Sequence, residues 1–239
     1  VSPPENQNST FKEDLCSLWK NDQWRILCLA GLLLLSGQVL RGTLAVYYVK
    51  YYLGRADLIT LFMTLGMIGS ILGCALSLPL SKRVCKIKAY ITLQSIAAFI
   101  CIISYFVDGE QTFMAFTLFF LWNFFLQMAT PLLWAKMADT IDYGHWKTGV
   151  RITGMVYSAI VFFIKLGVAI GGALAGWLLA YYGYQADIEQ SVTTQQGILT
   201  SFTLFPAIGS ILVALVMRWY ILDAKKVEFI HKSLQKNAL

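Results

Sequence analysis

Apolar residues fall along this chain in six long blocks, divided by short polar or charged breaks. The blocks cover residues 26–49, 58–80, 89–107, 112–134, 152–180 and 197–220. About 20 apolar residues carry a helix across the ~30 Å hydrocarbon core of a bilayer. Each block is long enough to span, and the fifth is long enough to tilt or project. The pattern predicts an all-α integral membrane protein with six transmembrane helices. It divides the chain into a polar linker over residues 1–25, a bundle over residues 26–222 and a basic tail over residues 223–239.

Composition strengthens this picture. Apolar residues make up 57% of the chain and charged residues 13%, whereas a soluble domain is about a quarter charged. A 239-residue globule has no interior for so much apolar surface, so lipid must be its solvent. A formal charge of +6 raises the question of nucleic acid. The charges lie in the breaks between blocks, as membrane-protein loops carry them, and no nucleic-acid partner is expected. Cys16, Cys28, Cys74, Cys85 and Cys101 show neither CxxC nor metal-ligand spacing and read as packing residues in a reducing compartment. Residues 1–10, rich in Pro, Asn, Gln and Ser, read as a linker. The chain is therefore expected to be the later part of a longer protein.

The charges also orient the chain. With an even number of spans, both termini share a side. That side collects Lys20, Arg25, Lys86, Lys88, Lys136, Lys147, Arg151, Arg218 and the tail lysines, while the other has Lys50 and Arg55 among Asp57, Asp108, Glu110 and Asp187. The positive-inside rule places both termini in the cytosol. In the tail, Val227, Ile230 and Leu234 share one helical face amid lysines, a pattern that predicts a short helix on the membrane surface.

Ionisable groups inside a bilayer face a cavity or a partner. Lys165 lies 14 residues after Arg151, ~21 Å along the fifth helix. It shares a face with Ser158, Phe162, Ala169, Gly172 and Gly176. Two readings stand: a structural ion pair, or a role in substrate binding or coupling. Small residues on that face, and the pairs Gly167/Gly171 and Gly172/Gly176, allow another helix to approach closely. Arg41 shares a face with Gln38, Ala45 and Tyr48 in the outer half of the first span. It either lines a cavity, where a guanidinium suits a carboxylate, or snorkels to the surface. Asn123, Gln127, Thr130 and Trp134 form a stripe on the fourth helix, suited to sugar hydroxyls or to gluing helices together.

The densest cluster follows: Asp139, Asp142, Tyr143, Lys147 and Arg151. Two carboxylates near a helix C-terminus oppose its dipole and need cations, and Lys147 and Arg151 are within reach across a turn. Such pairs suit a cytosolic gate. A solvated loop with scattered charges is the plainer alternative. A nucleophile–base or metal constellation is lacking, so an enzyme is not expected.

Asp139-Thr140-Ile141-Asp142-Tyr143-Gly144, then Trp146-Lys147-Thr148-Gly149, Arg151, Gly154, Ser158, Phe162 and Lys165-Leu166-Gly167 together resemble the glycoside–pentoside–hexuronide:cation symporter family. Tyr47-Tyr48-Val49-Lys50-Tyr51-Tyr52-Leu53-Gly54 is also similar. The resemblance implies twelve helices of the major facilitator type, of which this chain supplies helices seven to twelve, the C-terminal half. It implies sugar uptake coupled to H⁺ or Na⁺, without any other cofactor. It places Asp139, Asp142 and Arg151 in a cytoplasmic closure and Lys165 near a central cavity. Some members carry a sugar-facing tryptophan where this chain has Thr130, with Trp134 one turn on. The family's acidic cation-binding residues lie in the N-terminal half, the expected partner. The rival reading is a membrane subunit or regulatory fragment that keeps the transporter fold without transporting.

Overall fold

The computed structural model describes residues 11–236; the linker expected over residues 1–10, and residues 237–239, lie outside them. The described residues form α1 (Phe11–Lys20), α2 (Asp22–Tyr47), α3 (Ile59–Arg83), α4 (Lys86–Tyr105), α5 (Thr112–Thr148), α6 (Thr153–Tyr181), α7 (Val192–Val216) and α8 (Ala224–Lys236). One π-helical turn, Tyr48–Tyr52, prolongs α2. Six helices, α2 to α7, are long and apolar enough to cross a membrane, and they coincide with the six apolar blocks.

Two boundaries differ from expectation. Residues 11–20 are not linker but α1, whose Leu18 is buried and whose Trp19 meets Trp24 edge-on at 6.4 Å. The fourth helix does not stop near residue 134. It runs 37 residues to Thr148, ~56 Å, so Asp139, Asp142, Tyr143 and Lys147 are helical and only Arg151 lies past the turn. Apolar content ends where lipid ends, while the backbone ladder continues until a residue breaks it. That residue is Gly149, at φ 73 with its N–H donating to His145 O at 2.9 Å, the left-handed cap that glycine adopts without strain.

The centre of the bundle is α2, α4, α5 and α7, with α3 laid against α5 and α6 against α2. Close backbone approach makes both outer contacts. A Cβ on Gly167 or Gly171 would lie 2.5 Å from Leu32 O or Ser36 O, and one on Gly69 would lie 2.7 Å from Phe120 O. Gly73 presses as closely on Phe124. Small residues at both seams let α3 and α6 approach van der Waals contact, and Ser36 Oγ adds a hydrogen bond to Gly167 O at 3.1 Å.

Divided between α4 and α5, the chain is two triplets, α2–α4 and α5–α7. The middle helix of each packs on the first helix of the other, and the third helices, α4 and α7, pack together. This crosswise pairing is the arrangement of nested three-helix repeats, although the two halves show no evident sequence repeat.

The tail helix differs from the surface-lying helix expected of it. Ile230 is buried, and Val227 and Leu234 pack against the bundle core. The long extension of α5 gives that apolar face a protein partner: Phe229 meets Trp146 edge-on at 6.3 Å.

Candidate functional site

Lys165 sits on the side of α6 turned away from α2. Ser158, Phe162, Lys165, Ala169, Gly172 and Gly176 are all exposed, and a Cβ at Gly172 or Gly176 would meet nothing within 4 Å. Thus α6 carries two small-residue faces. The Gly167/Gly171 face is filled by α2, and the Gly172/Gly176 face, with the ammonium, is uncovered. Lys165 makes no ion pair or hydrogen bond with any described residue.

The α5 stripe divides. Asn123 turns to α3, donating to Phe119 O at 2.9 Å and accepting from Ser70 Oγ at 3.4 Å. Thr130 Oγ1 lies 2.8 Å from Gln127 Oε1, to which it donates. Trp134 is 43% exposed. Asn123 therefore glues helices, while Gln127, Thr130 and Trp134 present polar and aromatic surface one turn apart. No hydrogen bond joins Lys165 to this stripe among the described residues.

Arg41 is placed otherwise than either reading of it required. It is 0% exposed, neither snorkelling nor facing open space. Its guanidinium lies between the rings of Phe202 at 4.4 Å and Trp122 at 4.7 Å. Nη1 donates to Cys101 Sγ at 2.6 Å, and Nη2 reaches Ser104 Oγ at 3.4 Å. The face it shares with Tyr48 is turned inward, where Tyr48 stacks on Phe202 at 4.3 Å. Rings on two sides supply the cation–π attraction that takes the place of a counter-ion.

At the basic end of the bundle, the charges of the Asp139–Arg151 cluster are held from outside it. Asp139 Oδ2 pairs with Lys136 at 2.9 Å, and Lys136, nearly buried, also donates to Leu222 O at 2.8 Å. Asp142 meets His231 of α8 at 2.9 Å. Lys147 pairs with Asp22 at the start of α2, which also accepts from Tyr143 Oη at 2.9 Å. Asn21 completes this clasp: its Oδ1 caps α2 by accepting from Trp24 N, and its Nδ2 donates to Thr140 O, both at 2.9 Å.

The expected contact of the two aspartates with Lys147 and Arg151 across a turn is therefore absent among the described residues: Lys147 is still on the helix and pairs with Asp22, and Arg151 lies past Gly149. Arg151 is left with Thr153 Oγ1 at 3.4 Å. Sequence reading missed Asn21, Asp22, Lys136, His231 and Tyr220 as members of this network. Only Lys136, three residues before Asp139, carried a local signal. The Tyr220 hydroxyl lies 3.1 Å from Thr140 Oγ1.

Comparison with known proteins places this geometry. The chain is 36% identical over 220 residues to "Inner membrane symporter YicJ" of Escherichia coli (strain K12), covering 92% of this chain and 47% of that protein. It is 32% identical over 232 residues to "Putative glycoside/cation symporter YagG" of the same strain, covering 96% and 50%. It is 28% identical over 216 residues to "Uncharacterized symporter YnaJ" of Bacillus subtilis (strain 168), covering 88% and 45%. The chain thus spans about half the length of these relatives. The sequence model of the family described as MFS/sugar transport protein matches residues 1–224, and with six membrane-crossing helices in crosswise triplets the chain belongs to that family.

Proposed function

We propose that this chain is one half of the pore of a sugar:cation symporter, working by alternating access with an N-terminal six-helix half. The observation that carries the reading is the uncovered face of α6. It is a run of small residues around an unpaired ammonium, in a chain half the length of its symporter relatives. An ammonium left without a partner in lipid is costly, and a second half would supply its surroundings. The substrate is a glycoside, pentoside or hexuronide and the coupling ion H⁺ or Na⁺, with Lys165, Gln127, Thr130 and Trp134 at the cavity.

The basic end is cytosolic in this reading, as the positive-inside rule requires, and the membrane is the bacterial inner membrane. Asp139, Asp142, Tyr143 and Lys147 brace the half internally at its cytosolic mouth. Arg151, free of any described carboxylate, is the group that closes on the other half.

Uptake of a radiolabelled glycoside by membrane vesicles carrying the full-length transporter tests the proposal. Lys165→Ala is expected to abolish accumulation above the external concentration while the protein still reaches the membrane. Accumulation equal to wild type would refute a coupling role for Lys165. Absence of any sugar uptake by the unmutated protein would favour a subunit that does not transport.

A further inference from the structure

Between them, α4 and α7 leave an apolar groove of about 390 Å³. Ile91, Ser95 and Ile102 line it from α4, and Ile211, Leu215 and Arg218 from α7. The α4 wall from Ile91 to Ile102 runs ~16 Å, the depth of one leaflet, half of the ~30 Å hydrocarbon core.

One end of the groove is charged. Arg218 lines it there, and Lys88 lies on the same face of α4, one turn before Ile91. Both side chains are exposed, and neither has a carboxylate within ion-pair distance among the described residues. Trp219, beside Arg218, is 68% exposed, and exposed tryptophans gather at the headgroup level of a bilayer. The groove therefore descends from headgroup depth, with two unpaired cations at its mouth and apolar walls below.

We propose that this groove binds an anionic phospholipid, with one acyl chain between α4 and α7 and the headgroup phosphate between Lys88 and Arg218. Charge complementarity fixes the occupant. A free phosphate would have no use for a leaflet-deep apolar wall, and a zwitterionic lipid would bring its own headgroup cation up against Lys88 and Arg218. The site is independent of what the protein carries across the membrane and of which partner covers α6.

Native mass spectrometry of the full-length protein, titrated with dioleoylphosphatidylglycerol or dioleoylphosphatidylcholine, tests it. The wild type is expected to retain one phosphatidylglycerol more tightly than phosphatidylcholine. Lys88→Ala with Arg218→Ala should weaken retention about 25-fold, since each basic residue near a headgroup contributes about fivefold. Ser95→Phe fills the groove from an exposed position without changing charge, and it should also displace the lipid. Lys226→Ala with Lys236→Ala removes the same charge from α8 and should leave retention unchanged. Equal retention of the two lipids would overturn the proposal. So would unchanged binding in the Lys88/Arg218 variant, or loss in the α8 control as large as in that variant. Retention of lipid by Ser95→Phe would exclude the groove.

Discussion

Asp142 on α5 and His231 on α8 lie 2.9 Å apart, Oδ2 to Nε2, and their contact bridges the longest helix and the tail. Both side chains are partly exposed, so the pair contributes only about 0–1 kcal/mol. One residue earlier, Ile230 is 1% exposed, and burying such a side chain is worth about 1.5–3 kcal/mol. The apolar contact holds α8 in place, and the polar one sets its register.

That division predicts unequal effects of two substitutions. Ile230→Asp should detach α8 and make Lys225, Lys226 and Lys232 rapidly cleavable by trypsin. His231→Ala should raise cleavage only slightly, within about fivefold. Equal rates for the two variants would show that the ion pair, not burial, fastens the tail.

How much of this was legible in the sequence depended on how local each cause is. The six spans were readable because lipid imposes its demand residue by residue along one segment. The extension of α5 was not, because hydropathy marks where lipid ends; Gly149 was the signal for the true end. The partners of Asp142 and Lys147 are 89 and 125 residues away in the chain, and no spacing rule spans such separations. Both glycine pairs of α6 were visible, but only α2, placed in space, distinguishes the occupied pair from the open one.

Adjacent glycines on α6 should therefore respond in opposite ways. Gly171→Leu drives a side chain into Ser36 and the α2 backbone, and it should cost about 1–3 kcal/mol or separate the helices. Gly172→Leu meets nothing in this half and should leave its thermal stability unchanged, while blocking sugar uptake by the full-length transporter. Size-exclusion chromatography after a heating series, run beside an uptake assay, distinguishes them. Stability lost at Gly172, or kept at Gly171, would contradict the packing described.

Arg41 offers a test of enclosure against ligand contact. Arg41→Ala should destabilise the bundle by about 3 kcal/mol or more through the space it empties. Arg41→Met keeps the volume and removes a buried charge, a change that is often neutral. The Met variant is expected to melt near wild type and to retain uptake. A Met variant of normal stability that lost only acidic sugars would instead make Arg41 a substrate contact.

The crosswise seams also bear on how such a chain is made. As α3 leaves the ribosome, the surface its Gly69 and Gly73 will press against does not exist, because α5 has not been synthesised. Nor can α2 bury its Leu32–Ser36 ridge until α6 emerges. Synthesis proceeds at about 5–20 residues per second, so these half-made seams wait for seconds in the bilayer with their glycines facing lipid. Neither triplet is complete alone: the α3 seam waits for α5, the α2 seam for α6, and α4 for α7. Insertion of each first helix therefore runs ahead of its packing, and the seams close in the order in which α5, α6 and α7 are made. Quality-control proteases that survey the membrane would meet α3 as an orphan helix during every round of synthesis.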